Sequence, residues 1–254
     1  MILEAFELKN KNALVTGSSR GLGAAIATAL AQAGANVGCH GRSVDGQATS
    51  ETIRKMGRNS FYLAGDLSDA TLYPALIGKT IEEFGSIDVL VNNAGVIRRA
   101  PAAEYPLSDW DELIAVNLTA VFRLCQLAGQ DILKRGAKGK ILNIASLLSF
   151  QGGILVPAYA AAKGGIAQLT KALANEWASQ GINVNAIAPG YMATDNTTAL
   201  RQDPQRSRQI LERIPAGRWG EPSDVAGAAV FLCSSASDYI HGQVMAVDGG
   251  WLGR

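Results

Sequence analysis

Apolar residues along this chain gather into seven short runs: Asn12 to Thr16, Asn36 to His40, Phe61 to Ala64, Asp88 to Asn92, Lys140 to Ala145, Asn183 to Ala188 and Gln243 to Val247. Several are continuous and not alternating, the pattern of strands covered on both faces in a parallel sheet. Between them lie segments of helical character, Leu22 to Ala33, Gly46 to Met56, Asp69 to Phe84, Asp109 to Lys134, Ala158 to Gln180, Pro204 to Ile214 and Pro222 to Ser234. Strand-helix alternation with right-handed crossovers predicts an α/β fold: a single-domain, Rossmann-like, doubly wound parallel sheet of about seven strands with helices on both faces. Local punctuation agrees. Ser108 with Asp111 has capping-box spacing, Asp203-Pro204 and Glu221-Pro222 set proline at a first helical position, and Gly34 and Gly181 stand where left-handed caps end helices.

The 254 residues, 48% of them hydrophobic, suffice for one large core, and no linker, repeat or low-complexity tract divides them. Residues 1–254 are therefore expected to form one domain. With 23 basic and 22 acidic residues interspersed, the net charge of +1 advertises neither a nucleic-acid nor an anionic-membrane partner. The start, Met1 to Glu7, lacks the basic region and apolar run of a signal peptide, and no stretch is read as a membrane span, so a cytoplasmic protein is expected. Cys39, Cys125 and Cys233 are odd in number and without ligand spacing, which suits reduced, buried thiols. With only His40 and His241 beside them, no metal site is expected.

Candidate chemistry falls after the strand C-termini, the edge where open α/β sheets bind ligands. Thr16-Gly17-Ser18-Ser19-Arg20-Gly21-Leu22-Gly23 follows an apolar strand and opens a small-residue helix, the context a dinucleotide fingerprint demands. Glycine lets the backbone approach a pyrophosphate, and the helix N-terminus offers it unpaired N–H groups. Downstream, Tyr159 and Lys163 stand four residues apart in a helix-forming stretch, so both side chains share one face. A tyrosine beside an ammonium can act as acid or base, because the positive charge stabilises the phenolate. Each piece alone has a plainer explanation: Tyr159 and Lys163 as a half-buried ring beside a solvated lysine, Ser146 as a turn cap, Asn117 as a partner for a backbone carbonyl. Their conjunction with the glycine loop favours a redox enzyme.

At these residues the chain resembles the short-chain dehydrogenase/reductase family over nearly its whole length. The motifs are Thr16-Gly17-x-x-x-Gly21-x-Gly23, Asp66, Asn92-Asn93-Ala94-Gly95, Asn117, Ser146, Tyr159-x-x-x-Lys163, Pro189-Gly190-x-x-x-Thr194 and Asp248-Gly249-Gly250. The resemblance implies a catalytic set of Asn117, Ser146, Tyr159 and Lys163. Ser146 would hold the reacting oxygen, Tyr159 would exchange its proton, Lys163 would lower the tyrosine pKa and hold the ribose, and Asn117 would support a water-linked relay behind Lys163. Cofactor contacts would come from Gly17, Ser19, Arg20, Gly21, Leu22, Gly23, Arg42, Asp66, Leu67, Asn93, Ala94, Gly95, Tyr159, Lys163, Pro189, Gly190, Met192 and Thr194, with Asp66 facing the adenine amine and Thr194 the carboxamide. A homotetramer is implied as well; the long helices Asp109 to Lys134 and Ala158 to Gln180, and a Trp251-Leu252 end that a monomer would struggle to bury, point the same way.

Within the family, segments such as Gly95-Val96-Ile97-Arg98-Arg99, Ser149-Phe150-Gln151-Gly152-Gly153 and Arg213-Ile214-Pro215-Ala216-Gly217-Arg218-Trp219-Gly220 are similar to members acting on sugar acids of the gluconate or deoxygluconate type. Arg98 and Arg99 are candidates for a substrate carboxylate, Gln151 for a sugar hydroxyl, and Ser146 and Tyr159 for the reacting group. The turn Cys39-His40-Gly41-Arg42-Ser43 carries no acid before Asp45, and Arg20 lies in the glycine loop. Two guanidiniums can thus approach a ribose 2′-phosphate, which favours NADP(H); NAD is the alternative, because arginine also stacks on adenine. Two rival functions are a reductase of another carbonyl, such as a 3-oxoacyl thioester, and a dinucleotide-binding sensor that turns nothing over; fold alone does not separate them.

Overall fold

The computed structural model describes all 254 residues. Strands β1 (Asn12–Val15), β2 (Asn36–Gly41), β3 (Ser60–Ala64), β4 (Val89–Asn92), β5 (Gly139–Ile144), β6 (Ile182–Pro189) and β7 (Val244–Val247) form one seven-stranded sheet in the order β3-β2-β1-β4-β5-β6-β7. Every pairing is parallel. The strand order reverses between β1 and β4, which opens a crevice at their C-terminal ends.

Because side chains alternate across a strand, each central strand feeds two cores. Leu14, Leu90, Ile141 and Val184 face one layer, where they meet Leu76, Leu124 and Trp177 from helices α3 (Leu72–Phe84), α5 (Ala120–Lys134) and α6 (Pro157–Trp177). Val15, Val37, Val91 and Leu142 face the other, against Ile26, Leu30, Ile53 and Val225 from α1 (Gly21–Gln32), α2 (Ala48–Lys55) and α9 (Pro222–Cys233). The three cysteines are free and buried, and burial pushes the Cys125 and Cys233 thiols up to about 12. Asp203 caps α8 (Pro204–Leu211) by accepting from the N–H groups of Gln205 and Arg206 at 3.0 Å.

Several local expectations change. The segment foreseen as one helix from Asp109 is α4 (Leu107–Ile114), a π turn (Ala115–Thr119) and then α5. It starts earlier because Pro106 occupies the N-cap position in an extended conformation, so Ser108 and Asp111 form no capping box. The run Leu107–Lys134 is long and apolar enough to cross a membrane, contrary to the sequence reading; half of its most apolar window is buried inside the protein, as in a core helix. The chain also buries Trp251 by itself, at 4% exposure, against Leu147, Ile210 and Ile214, with Tyr191 at 4.6 Å and the Arg213 guanidinium at 4.1 Å over its ring. Trp251 therefore gives no argument for assembly. A short helix α7 (Thr198–Gln202), not foreseen, precedes α8.

Leu90 lies on a central strand and is fully buried. Leu90→Ala is expected to lower the unfolding free energy by about 2–5 kcal/mol, the sum of lost transfer energy and a cavity that parallel strands cannot collapse to fill. Urea unfolding of wild type and variant measures it; a difference below about 1 kcal/mol would show a far softer core than this packing implies.

Candidate active site

The glycine loop is held shut from behind. The Thr16 hydroxyl accepts the N–H groups of Asn93 and Ala94 at 3.0 and 3.1 Å, and the Asn93 amide donates to the carbonyls of Thr16 and Gly17 at 2.9 Å. Gly23 is obligatory: a Cβ there would lie 2.2 Å from the Gly17 oxygen and 2.4 Å from the Asn93 amide nitrogen. Gly17, at φ +62°, would meet the Ala94 backbone at 2.8 Å. Gly21 differs, since a Cβ on it would reach only Thr194, at 3.7 Å; its φ of +57° is what selects glycine. α1 begins there without a side-chain cap, so its first N–H groups face the crevice, a cradle that fits a pyrophosphate.

Around this cradle the rim charges are already paired. Arg42 Nε lies 2.9 Å from Asp66 Oδ2, and Arg20 Nε lies 3.1 Å from Asp195 Oδ2. Asp66 also accepts from Ser68, whose backbone N–H chiefly holds its carboxyl below the usual range, with help from Arg42 and against desolvation. Leu67 is buried beside it, with its carbonyl bound by the Tyr73 hydroxyl at 2.8 Å. Across the crevice, Gly190 lets the β6 end pass close to Asp248, whose Cα would be 2.6 Å from an added Cβ. The chain then runs on through Met192, whose neighbour Ala193 donates to the Gly220 carbonyl, to Thr194.

Ser146, at the end of β5, and Tyr159 and Lys163, on the first turns of α6, come together. Ser146 stands close enough to the Tyr159 hydroxyl to influence its ionisation, and accepts from the Leu148 N–H at 3.2 Å. Burial raises the Tyr159 pKa; the Ser146 hydroxyl and then the Arg99 charge oppose the rise. The sequence expectation assigned that lowering to Lys163. Here the lysine ammonium donates to the Ile144 carbonyl at 2.5 Å and sits 5.7 Å from the tyrosine ring centroid, and the Arg99 charge acts on the phenol as well. Lys163 is 4% exposed, and burial brings its pKa down to about 8. Asn117 is fully buried in the π turn, where its amide accepts from the Val96 N–H and donates to the Val96 carbonyl, both at 2.8 Å. Its side chain thereby clamps the loop that follows Ala94 and Gly95.

The substrate candidates separate. Arg98 is paired with Glu112 through two hydrogen bonds of 3.0 and 2.8 Å, so it would have to leave that carboxylate to meet a substrate's. Arg99, exposed and without an ion-pair partner, is available. The Gln151 carbonyl accepts from the Trp251 indole at 3.4 Å, which ties it to the C-terminal aromatic cluster. Arg218, expected to be structural, makes a two-pronged contact with Asp224. Three participants were not foreseen. Ser149 accepts from the Ser146 N–H and donates to the Lys163 carbonyl at 2.6 Å, joining the serine turn to the tyrosine helix. Glu112 and Asp195 neutralise arginines; Asp195 follows Thr194 directly, whereas nothing in the spacing of Glu112 pairs it with a loop on another element.

A family profile described as "Enoyl-(Acyl carrier protein) reductase" matches residues 17–252. The chain is 54% identical to the 2-dehydro-3-deoxy-D-gluconate 5-dehydrogenase of Escherichia coli (strain K12) over 255 residues, covering all of both chains. It is 39% identical to the gluconate 5-dehydrogenase of Gluconobacter oxydans (strain 621H), covering 97% of this chain and 96% of the relative. Among solved structures, a gluconate 5-dehydrogenase from Burkholderia cenocepacia J2315 in complex with NADP and tartrate superposes with a TM-score of 0.95 at 39% identity over the whole of both chains. The chain belongs to the short-chain dehydrogenase/reductase family.

A lysine whose pKa falls from 10.5 to about 8 on folding binds its proton less readily in the fold than in the unfolded chain. Between those pH values the unfolded state holds more protons, so the lysine's contribution to stability rises with pH across that window. Relative to Lys163→Met, wild type is expected to gain up to about 3 kcal/mol between pH 8 and 10.5. Denaturation curves of the two proteins across that range test this, and parallel pH dependence would contradict the burial cost.

Proposed function

We propose that the protein is an NADP(H)-dependent oxidoreductase that interconverts a secondary alcohol and a ketone on a sugar acid of the gluconate or deoxygluconate type. The observation that carries the reading is the cluster of Ser146, Tyr159 and buried Lys163, whose ammonium lies 5.7 Å from the tyrosine ring, at the same sheet edge as a glycine cradle that fits a dinucleotide. NADP(H), when bound, supplies the hydride acceptor or donor. The chain's residues manage the oxygen and its proton. Ser146 donates to the reacting oxygen; Tyr159 takes the proton of the alcohol in oxidation and returns it to the ketone oxygen in reduction. Lys163 supports the tyrosine and the ribose from below, and Asn117 holds the loop beside them while serving the relay behind Lys163.

The sugar-acid substrate is supported by the names of the relatives and by Arg99, a guanidinium without an ion-pair partner whose charge reaches the Tyr159 phenol. Arg42 and Arg20 are the groups for a 2′-phosphate, each leaving its present carboxylate to do so. NADP in the Burkholderia relative supports the same choice. We further infer a cytoplasmic homotetramer of two-fold symmetry; half-exposed Trp110 and Phe122 on α4 and α5 leave apolar surface for it, and a sedimentation mass of one chain at micromolar concentration would exclude it.

A spectrophotometric screen of gluconate, 2-deoxygluconate and their keto forms with NADP and NAD tests the reading directly. Tyr159→Phe is expected to bind NADP as wild type does and to lose turnover by about 10²–10⁴-fold. Since burial raises the Tyr159 pKa, the phenolate needed for alcohol oxidation accumulates only as pH rises, so oxidation should accelerate through the alkaline range in wild type. Activity of Tyr159→Phe within a few-fold of wild type at every pH would remove the assigned acid/base. Arg42→Ala should cut the NADP:NAD ratio of kcat/KM by about tenfold or more; an unchanged ratio would free Arg42 from the 2′-phosphate role.

A further inference from the structure

His40, the residue before the last of β2, belongs to none of the groups assigned so far, yet its ring joins two loops of the crevice. It is 3% exposed. Its Nδ1 accepts from the Gly17 N–H at 3.3 Å, and its Nε2 meets the Gly65 carbonyl at 3.1 Å. A carbonyl only accepts, so Nε2 carries the proton and Nδ1 the lone pair: the two partners select one neutral tautomer. The backbone completes the joint. The Ser18 N–H donates to the His40 carbonyl at 2.8 Å, and the His40 N–H donates to the Ser18 hydroxyl at 3.0 Å.

Gly17 and Ser18 open the glycine loop, and Gly65 stands immediately before Asp66. The ring thus fixes the distance between the pyrophosphate cradle and the turn assigned to the adenine, while the strand that bears it leads two residues on to Arg42. Gly17 has no slack of its own, since it lies in the left-handed region with the Ala94 backbone against it. Burial lowers the His40 pKa, against the Gly65 carbonyl and the Asp66 charge, and so keeps the ring in its neutral form.

We propose that His40 is a positioning residue for the dinucleotide, holding the glycine loop and the Asp66 turn at the spacing that the adenosine half of the cofactor requires. The proposal rests on the reading of the protein as an NADP(H) enzyme. A residue of this kind acts on cofactor affinity and leaves the geometry around Ser146, Tyr159 and Lys163 alone. His40→Phe fills the space but leaves the Gly17 N–H and the Gly65 carbonyl without partners; His40→Asn offers an acceptor near the Nδ1 position and a donor beside it.

Calorimetric titration of the intact protein with NADP, paired with steady-state kinetics, tests this. His40→Phe should raise the Kd for NADP and the cofactor KM together by about tenfold, with kcat at saturating cofactor changed by less than about threefold, and His40→Asn should recover most of the affinity. Affinity within about twofold of wild type in both variants, or a kcat loss as large as the KM rise, overturns the proposal. Should His40→Phe fail to fold, His40→Ala decides: an unchanged Kd for NADP overturns the proposal, and a raised Kd and KM without a matching fall in kcat, recovered in His40→Asn, upholds it. A wild-type protein that binds neither NADP nor NAD would defeat the enzyme reading itself, and the role of His40 with it.

Discussion

Everything at the crevice depends on how closely two parallel strands are held where the sheet changes direction. β1 and β4 are neighbours, and beyond their last paired residues the chains must diverge, one into α1 and the other toward the π turn. The Thr16 hydroxyl and the Asn93 amide keep them together past that point, with four hydrogen bonds of 2.9–3.1 Å to backbone groups. Buried backbone donors and acceptors demand partners, and here side chains supply them where the ladder cannot. The result is a glycine loop pressed so close that Gly23 admits no side chain atom at all.

Burial then sets the electrostatics of the neighbouring cluster. Tyr159 and Lys163 are pushed in opposite directions by the same desolvation, the phenol up and the ammonium down to about 8, so both neutral forms gain. What the surroundings add is selective: the Ser146 hydroxyl and the Arg99 charge favour the phenolate, a backbone carbonyl holds the ammonium, and that ammonium lies 5.7 Å from the tyrosine ring. Ser149 makes the arrangement rigid by joining the serine turn to the helix that carries the other two.

The sheet, its parallel character and the seven strand positions were legible because continuous apolar runs bounded by glycine leave few alternatives. The glycine loop and the Tyr159, Lys163 pair were legible because each residue type answers to a spacing, whereas Ser146 was placed beside them by the family resemblance. Charge partners were not. Arg98 with Glu112, Arg42 with Asp66 and Arg20 with Asp195 are made by long, flexible side chains from separate elements, and no periodicity in the chain encodes them. Trp251 misled for a related reason: its burial depends on Tyr191, Ile210 and Ile214, brought to it by folding and not by proximity in sequence.

The π turn between α4 and α5 has a consequence for how this stretch of chain tolerates change in length. A π turn takes in one residue more than an α turn, so the two flanking helices are out of phase by roughly 100° about their common axis. That offset lets Leu113 point at Ala158 and Ala162 while Val116, Ala120 and Leu124 point at the sheet. Deleting a single residue from Ala115–Thr119 would restore a regular helix and swing one of these faces into solvent. The segment thus acts as a phase shifter: substitutions can be absorbed there one side chain at a time, whereas a change in residue count cannot.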